Sequence, residues 1–256
     1  MDHQSIVEQL ASAKKQGEHV DLDVSSIPLS IEDSYDLQAE YIAQIGWPIR
    51  GWKVGATSKA GQEALKIEEP IAGPIFEPCL RVSGETVKTP TNAMRVLEPE
   101  FAFLMARDLR PKEHEYSVSD VSAAVAGVAG AIEIVDSRFD RHFDVGIGWT
   151  IADGSANHAF IPGTLQEDWQ GLDLQSHSTR LSINGDIVAE GNGGNVIGGP
   201  LNILCWVCNH LISRDLYLKA GDWVSTGLTT KVVTGKTGDL VVADFAGLGT
   251  VSVRLD

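Results

Sequence analysis

The sequence predicts an α+β protein in which an N-terminal helical region precedes a mixed β-sheet. Apolar residues recur at helical spacing near the N-terminus, whereas short apolar runs separated by Gly, Asn and Asp follow from Arg95 onward. Asn184-Gly185 joins two of these runs, and this pair favours the positive φ angles of a tight hairpin. We assign residues 1–75 to the helical region and residues 76–256 to a catalytic domain built on the sheet.

An amphipathic helix is predicted just after Ser30, which is a candidate N-cap with Asp33 three residues later. It should end near Gly46, and its apolar residues are Ile31, Tyr35, Tyr41, Ile42 and Ile45. Two more helices are expected, over residues 119–129 and from Pro200, where apolar residues fall on one face. Strands are predicted over residues 96–106, 131–135, 159–161, 181–183, 240–243 and 251–254.

Composition excludes several classes of function. The chain has 256 residues, with 20 Lys and Arg against 35 Asp and Glu, and its formal net charge is −15. Such a surface repels nucleic acids and anionic membranes. No apolar run approaches the roughly 18 residues of a membrane span, and the first residues lack a signal-peptide pattern. With three cysteines, which cannot all pair, we expect a cytoplasmic protein.

Three glutamates lie within apolar strand segments. Glu98 and Glu100 are two residues apart and therefore on one face of a strand, and Glu133 occupies a second apolar strand. Buried carboxylates need a common cation or must be protonated. Mg²⁺ or Mn²⁺, which prefer hard oxygen ligands, would satisfy them. The alternative is that all three lie on solvated strand faces.

A lysine, a glycine-rich segment and a pair of cysteines give weaker evidence of function. Lys53, flanked by Trp52 and Val54, is either a buried group that binds a carboxylate or moves a proton, or a lysine that reaches solvent. The glycine-rich residues 191–199 lack the spacing of a phosphate-binding loop, which favours a close-packed loop beside a site or a plain connector. Cys205 and Cys208 have redox spacing but fall within a helix, and we predict core positions for both.

Six segments in order resemble the 2-keto-4-pentenoate hydratase family, a branch of the fumarylacetoacetate hydrolase superfamily that includes 4-oxalocrotonate decarboxylases. They are GWKVGATS at 51–58, LEPEFA at 97–102, IEIVDSR at 132–138, IAD at 151–153, GPLN at 199–202 and LKAGD at 218–222. The resemblance implies a mixed β-roll, a homo-oligomer and a small 2-oxo acid substrate. It also implies that Glu98, Glu100 and Glu133 bind the metal and that Lys53 is the active-site lysine.

The sequence departs from the family pattern at two places. Ile71 stands where hydratases have Asp, and Ala156 or Asn157 replaces a serine. A catalytic acid or base is therefore missing, and Glu77 is the nearest carboxylate that could replace it, unless it is a surface acid. We expect Ser155 and Thr229 to bind substrate. The superfamily's hydrolases carry a His-Glu pair shortly after the lysine motif, and the lack of histidine between Val54 and Lys112 disfavours C–C hydrolysis.

The expected function is that of a divalent-metal-dependent lyase that acts on a 2-oxo acid or a 2-hydroxydienoate, as a hydratase of the 2-keto-4-pentenoate type. One alternative is loss of CO₂ from a vinylogous 2-oxo diacid, which requires no base to activate water. The other is a catalytically silent metal-binding homologue, which we would favour if Lys53 lay far from the glutamates.

Overall fold

The computed structural model describes residues 2–256. Its helices are α1 (His3–Gln16), α2 (Ile31–Ile45), α3 (Lys59–Leu65), α4 (Val118–Ser122), α5 (Ile147–Ala152) and α6 (Pro200–Ile212). Its strands are β1 (Ile49–Gly55), β2 (Ile71–Phe76), β3 (Thr86–Val87), β4 (Val96–Met105), β5 (Val125–Val135), β6 (Asn157–Pro162), β7 (Ser178–Ile183), β8 (Asp186–Asn192), β9 (Trp223–Leu228), β10 (Val233–Thr234), β11 (Leu240–Asp244) and β12 (Thr250–Leu255).

The N-terminal helices α1 and α2 pack against each other, and α2 also packs against α5. The predicted helix after Ser30 is confirmed: the Ser30 side chain accepts a hydrogen bond from the Asp33 backbone, and Gly46 ends the helix with a φ of 67°. Apolar side chains from these helices form a separate core that includes Ile6, Leu10, Tyr41 and Trp149.

The larger sheet has the strand order β2-β1-β9-β4-β5-β6, with β10 paired to β4. It curls so that its edge strands β2 and β6 contact each other, and the Arg81 N–H donates to the Phe160 carbonyl across this junction at 2.8 Å. We call it the rolled sheet. One end of its inner face holds a small apolar cluster that comprises Ile75, Ala102, Ala131 and Phe160, with Trp223 packed against them.

The outer face of the rolled sheet packs against α6 and a second sheet of order β3-β12-β11-β7-β8. This interface contains the main core, with Phe101, Phe103 and Ile132 from the rolled sheet. The predicted hairpin is confirmed, because β7 and β8 pair around Asn184 and Gly185, whose φ values are 53° and 93°. In the described residues no helix combines the length and apolar character that a membrane crossing requires.

Two sequence-based assignments of secondary structure were wrong in part. The helix predicted over residues 119–129 is limited to α4, and β5 begins at Val125, because the Val- and Gly-rich segment pairs along its length with β4. The N-terminal region is not all helical, because β1 and β2 lie within residues 1–75 and pair with each other. The division of the chain at residue 75 stays a prediction.

Candidate active site

The inner face of the rolled sheet carries a group of polar side chains beyond its apolar cluster. Glu98 and Glu100 alternate along β4 with outward-facing residues, and Glu133 lies on β5 directly opposite Glu98. Lys53 on β1 and Ser225 on β9 are register partners in a parallel pair. The consecutive strands β4 and β5 and the more distant strands β1 and β9 therefore direct polar groups into one interior.

Glu98, Glu100 and Glu133 form a carboxylate cluster in which one oxygen of each residue lies within 4.8 Å of the others. Glu100 and Glu133 are fully buried. Among the described residues, Glu100 Oε1 and Glu133 Oε2 have no hydrogen-bond partner. Unpaired buried carboxylate oxygens are costly, and a hard divalent cation is the partner that suits them. The cluster therefore fits a divalent metal site, as the sequence predicted.

The second oxygen of each buried glutamate is held by the protein. Ser225 Oγ and the Gly227 N–H donate to Glu100 Oε2, the latter at 2.6 Å. Asn157 Nδ2 donates to Glu133 Oε1 at 2.9 Å. These bonds orient the carboxylates and leave one oxygen of each without a partner in the protein.

Burial and mutual repulsion disturb the ionisation of the carboxylate cluster. Burial raises the pKa of Glu100 well above its ordinary value, and the charges of Glu133 and Glu98 raise it further. Burial also raises the pKa of Glu133, to about 7, although Lys53 acts in the opposite direction. Burial is the main cause of both shifts and repulsion between the carboxylates adds to it, and a bound cation would offset both effects.

Lys53 is buried and lies close to the carboxylate cluster, with its Nζ 3.5 Å from Glu133 Oε1. Burial by itself would lower the pKa of Lys53, but Glu133, Glu98 and Glu100 outweigh this effect and raise it. Lys53 is therefore a protonated ammonium in this arrangement. Of its two predicted environments, the buried one is correct.

The two predicted substrate-binding residues donate hydrogen bonds to main-chain carbonyls of different strands, β2 for Ser155 and β4 for Thr229. Ser155 Oγ donates to the Ala72 carbonyl at 2.7 Å, and Thr229 Oγ1 donates to the Pro99 carbonyl at 2.7 Å. Both are buried, and both hydroxyl protons are already engaged. A substrate could therefore use these hydroxyl oxygens as acceptors, and substrate binding by either residue stays a prediction.

The Glu77 carboxylate forms its hydrogen bonds with Arg50 and none with the carboxylate cluster. Glu77 follows β2 in a short 3-10 turn, and its carboxylate pairs with Arg50, both side chains being 49% exposed. Among the predicted site residues, Lys53 and the three glutamates are thus assembled, whereas Glu77 lies in an exposed ion pair. Its catalytic role stays a prediction.

Sequence reasoning missed Asn157 and Ser225 as partners of the glutamates. Asn157 was noticed only as a departure from the family pattern, and Ser225 lies in a strand that was not predicted. Neither residue adjoins its glutamate in sequence: Ser225 lies on β9, which pairs with β4, and Asn157 lies on β6, which pairs with β5. For Ser225 a sequence signal was available. Successive side chains of a strand point to opposite faces, so Ser225 lies on the face opposite buried Val224.

A strained turn packs directly over β2. Gly154, Ser155 and Ala156 all have positive φ values, of 67°, 56° and 57°, a run that costs energy for the two non-glycine residues. A Cβ on Gly73 would lie 2.3 Å from the Gly154 carbonyl oxygen. Position 73, the register partner of Lys53, therefore requires glycine.

The glycine-rich residues 191–199 end β8 and form the close-packed connection from it to α6. The Ile197 N–H donates to the Thr57 carbonyl at 2.8 Å, and a Cβ on Gly191 would lie 2.0 Å from the Thr229 carbonyl oxygen. The segment is thus close-packed, as predicted, and its place beside a functional site stays a prediction.

The cysteines of α6 are free thiols. Cys208 is fully buried, which confirms its predicted core position, and burial raises its pKa to about 12. Cys205 is only half-buried, and its thiol donates to the Tyr116 carbonyl. Burial also raises the pKa of Cys205, so neither thiol is activated as a nucleophile.

Comparison with known proteins agrees with this geometry. The chain is 31% identical to a 2-keto-4-pentenoate hydratase of Burkholderia vietnamiensis over 206 residues, which cover 80% of this chain and 78% of the relative. It is 30% identical to a 2-oxo-hept-4-ene-1,7-dioate hydratase of Escherichia coli, with 98% and 97% covered.

Among solved structures, a 4-oxalocrotonate decarboxylase of Pseudomonas putida G7, complexed with magnesium and adipate, superimposes with a TM-score of 0.88. It is 26% identical, and the match covers 99% of this chain and 97% of that one. The sequence model of the fumarylacetoacetate hydrolase C-terminal family matches residues 61–256. With most of its length matched and the curled sheet in common, the chain belongs to the fumarylacetoacetate hydrolase C-terminal family.

Proposed function

We propose that the protein is a divalent-metal-dependent lyase that acts on a 2-oxo acid or a 2-hydroxydienoate, as a hydratase of the 2-keto-4-pentenoate type. The observation that carries the proposal is the buried carboxylate cluster with Lys53 beside it. Relatives that match most of this chain are named as hydratases, which supports water addition as the reaction.

Glu98, Glu100 and Glu133 would hold the cation, and we propose Mg²⁺ or Mn²⁺. When bound, this ion would supply Lewis-acid stabilisation of the negative charge that develops on the 2-oxygen of the substrate. The protein contributes the rigid orientation of the ligands through Ser225 and Asn157. The related decarboxylase was solved with magnesium, which supports the choice of metal class.

Lys53 would bind the substrate carboxylate. Its raised pKa favours a permanent cation over a base, and its burial excludes competing water. An ammonium that neutralises the carboxylate also makes it easier to place negative charge on the adjacent 2-oxygen. Ser155 and Thr229 would border the substrate with hydroxyl oxygens that can accept hydrogen bonds.

Decarboxylation of a vinylogous 2-oxo diacid is the second candidate function. Water addition requires a group that positions and deprotonates water, and Glu77 is the candidate from sequence, yet its carboxylate pairs with Arg50 in an exposed position. Loss of CO₂ requires no such base. The close structural likeness to the decarboxylase supports this alternative.

We also propose that the protein is a cytoplasmic homo-oligomer. Its three free cysteines suit a reducing compartment. The resemblance to the hydratase family implies the oligomer. Light scattering of the purified protein measures the mass directly, and a monomer at micromolar concentration would contradict the oligomer.

The reaction is tested by incubating the protein with 2-hydroxypenta-2,4-dienoate and, separately, with 2-oxohex-3-enedioate, each with Mg²⁺ or Mn²⁺. Product NMR distinguishes a hydrated 4-hydroxy-2-oxo acid from CO₂ loss. Lys53→Met should abolish the native reaction, whereas Lys236→Met, at an exposed lysine, should not change it. Turnover of neither substrate by protein that binds the metal would contradict both activities for these compounds and favour the silent homologue.

A further inference from the structure

Lys14, in the last turn of α1, is buried at 8% exposure, although lysines on a surface helix usually extend into solvent. Its ammonium donates a hydrogen bond to the main-chain carbonyl of Asn157. The next residue, Lys15, is exposed and donates to the Gln44 carbonyl at 2.8 Å. Burial of an ammonium is costly, so the contact of Lys14 with Asn157 requires a specific reason.

Asn157 connects Lys14 to the carboxylate cluster. It is buried at the first position of β6, and its side-chain Nδ2 donates to Glu133 Oε1 at 2.9 Å. The carbonyl that Lys14 binds belongs to the same residue. A tether on that carbonyl restricts the backbone of Asn157 and hence the direction of its side chain.

Among the described residues, Lys14 forms no hydrogen bond or ion pair with the buried carboxylate of Asp153, although its charge acts on that group. Asp153 is the buried carboxylate that Lys14 influences electrostatically, but Arg138 influences Asp153 more strongly. The Arg138 backbone N–H and Ser137 Oγ both donate to Asp153 Oδ2. Lys14 is therefore directed to the Asn157 carbonyl, whereas Asp153 is held by other residues.

We propose that Lys14 is a positioning residue for the metal site: α1 holds Asn157, and Asn157 holds Glu133 in its metal-binding orientation. This inference rests on the proposed metal-dependent function. The proposed role makes α1 part of the support of the active site, although α1 lies outside residues 61–256, the part that the family model matches. Residues that orient a metal ligand typically alter metal affinity about 10- to 100-fold when they are replaced.

The test is calorimetric titration of metal-free protein with Mn²⁺, for the parent, Lys14→Met, Asn157→Leu and the double variant. Methionine keeps an unbranched apolar stem without the donor, and leucine keeps the shape of asparagine without the amide. Lys14→Met should raise the Kd about 10-fold. In the Asn157→Leu background, Lys14→Met should cause no further loss, because the effect passes through Asn157.

Lys15→Met is the matched control, because it removes a lysine-to-carbonyl bond from the same helix turn without a link to the cluster, and its Kd should equal the parent's. Urea unfolding of each variant identifies a purely structural role, which would lower stability and leave the Kd unchanged. If Lys14→Met does not fold, Lys14→Arg replaces it. Arginine keeps an N–H donor for the Asn157 carbonyl, so the Kd for Mn²⁺ should stay within about threefold of the parent's.

The inference is overturned if the parent binds Mn²⁺ and Lys14→Met binds it equally well, or if Lys14→Met weakens binding by the same factor with and without Asn157. A Kd raised about 10-fold by Lys14→Arg would also contradict it. A parent that binds neither Mn²⁺ nor Mg²⁺ would overturn the proposed function itself and the inference with it.

Discussion

Lys53 and Glu133 form an ion pair although their strands, β1 and β5, are not neighbours in the rolled sheet. Strands β9 and β4 lie between them in the hydrogen-bonded order. The two side chains therefore meet across the interior, which the curl of the sheet makes narrow enough for a lysine to span. This geometry gives the carboxylate cluster its cationic neighbour.

Replacing Glu98, Glu100 and Glu133 together with Gln should abolish high-affinity Mg²⁺ binding, because amides remove the negative charge that attracts the ion. Calorimetric titration measures the loss. In the parent, Mg²⁺ at 100 times its Kd should raise the free energy of unfolding by about 2.7 kcal/mol, and this gain should vanish in the variant.

The control for this variant replaces the exposed Glu113, Glu115 and Glu167 with Gln, which changes the net charge equally away from the site. It should bind Mg²⁺ as the parent does. Undiminished binding by the variant of the carboxylate cluster would show that the metal site lies elsewhere.

If the native reaction is loss of CO₂, Glu77→Gln should change turnover by less than about threefold, because that reaction requires no base to activate water and breaking the exposed Glu77–Arg50 pair costs only about 0.2–1 kcal/mol of stability. The measurement is the steady-state rate on each substrate, alongside metal-dependent exchange of the C3 protons with deuterium. Loss of water addition with exchange intact would instead identify Glu77 as the base that activates water.

Gly73→Ala should lower the free energy of unfolding by about 1–3 kcal/mol, because the added methyl group would overlap the turn that contains Gly154 and Ser155. Chemical denaturation measures this cost. Gly171→Ala is the control: a Cβ there meets nothing within 4 Å, and its stability should match the parent's. Equal stability of both variants would mean that the turn shifts to accommodate the methyl group without lowering the free energy of unfolding.

His158 should make the protein sensitive to acid. Burial first, and then Lys14 and Arg138, lower the pKa of His158 from 6.5 to about 3. Its Nε2 lies 2.9 Å from the Lys88 carbonyl, a contact that a neutral imidazole satisfies as donor. The unfolded chain therefore binds a proton that the native state excludes, and the associated stability is complete above pH 6.5 and declines as pH falls toward 3.

The decline attributable to His158 is at most about 1.4 kcal/mol per pH unit. Urea unfolding between pH 6.5 and 4.5 should therefore show a flatter dependence for His158→Gln than for the parent. His114→Gln, at an exposed histidine, should keep the parent's slope. Identical slopes for His158→Gln and the parent would mean that His158 titrates normally in the folded state.

The carboxylate cluster could be predicted from sequence because its signal is local. Glu98 and Glu100 obey the period of two within an apolar run, and Glu133 has apolar neighbours on both sides. The location of Lys53 depended on family resemblance, since the pairing of β1 with β9 joins distant parts of the chain. Such nonlocal pairing leaves no trace in local periodicity.

The errors have the same origin. Residues 119–129 have a composition that a helix tolerates, yet pairing with β4 along the length of β5 overrides the local preference from Val125 onward. Asn157 and Ser225 became recognisable as partners of the glutamates only through strand register. The glutamates of the cluster could thus be predicted from sequence, whereas the residues that orient their carboxylates could be identified only from the tertiary fold.

The parallel pairing of Lys53 with Ser225 also determines when the site can form during folding. A ribosome completes β1 early, but β9 is made after every strand that bears a glutamate of the cluster. Until β9 emerges, β1 lacks the neighbour that joins it to β4. Lysine and carboxylates therefore meet late, and this long-range closure is of the kind that makes folding slow. Between the synthesis of β5 and that of β9, a nascent chain would carry its acidic strands without the buried Lys53 ammonium beside them.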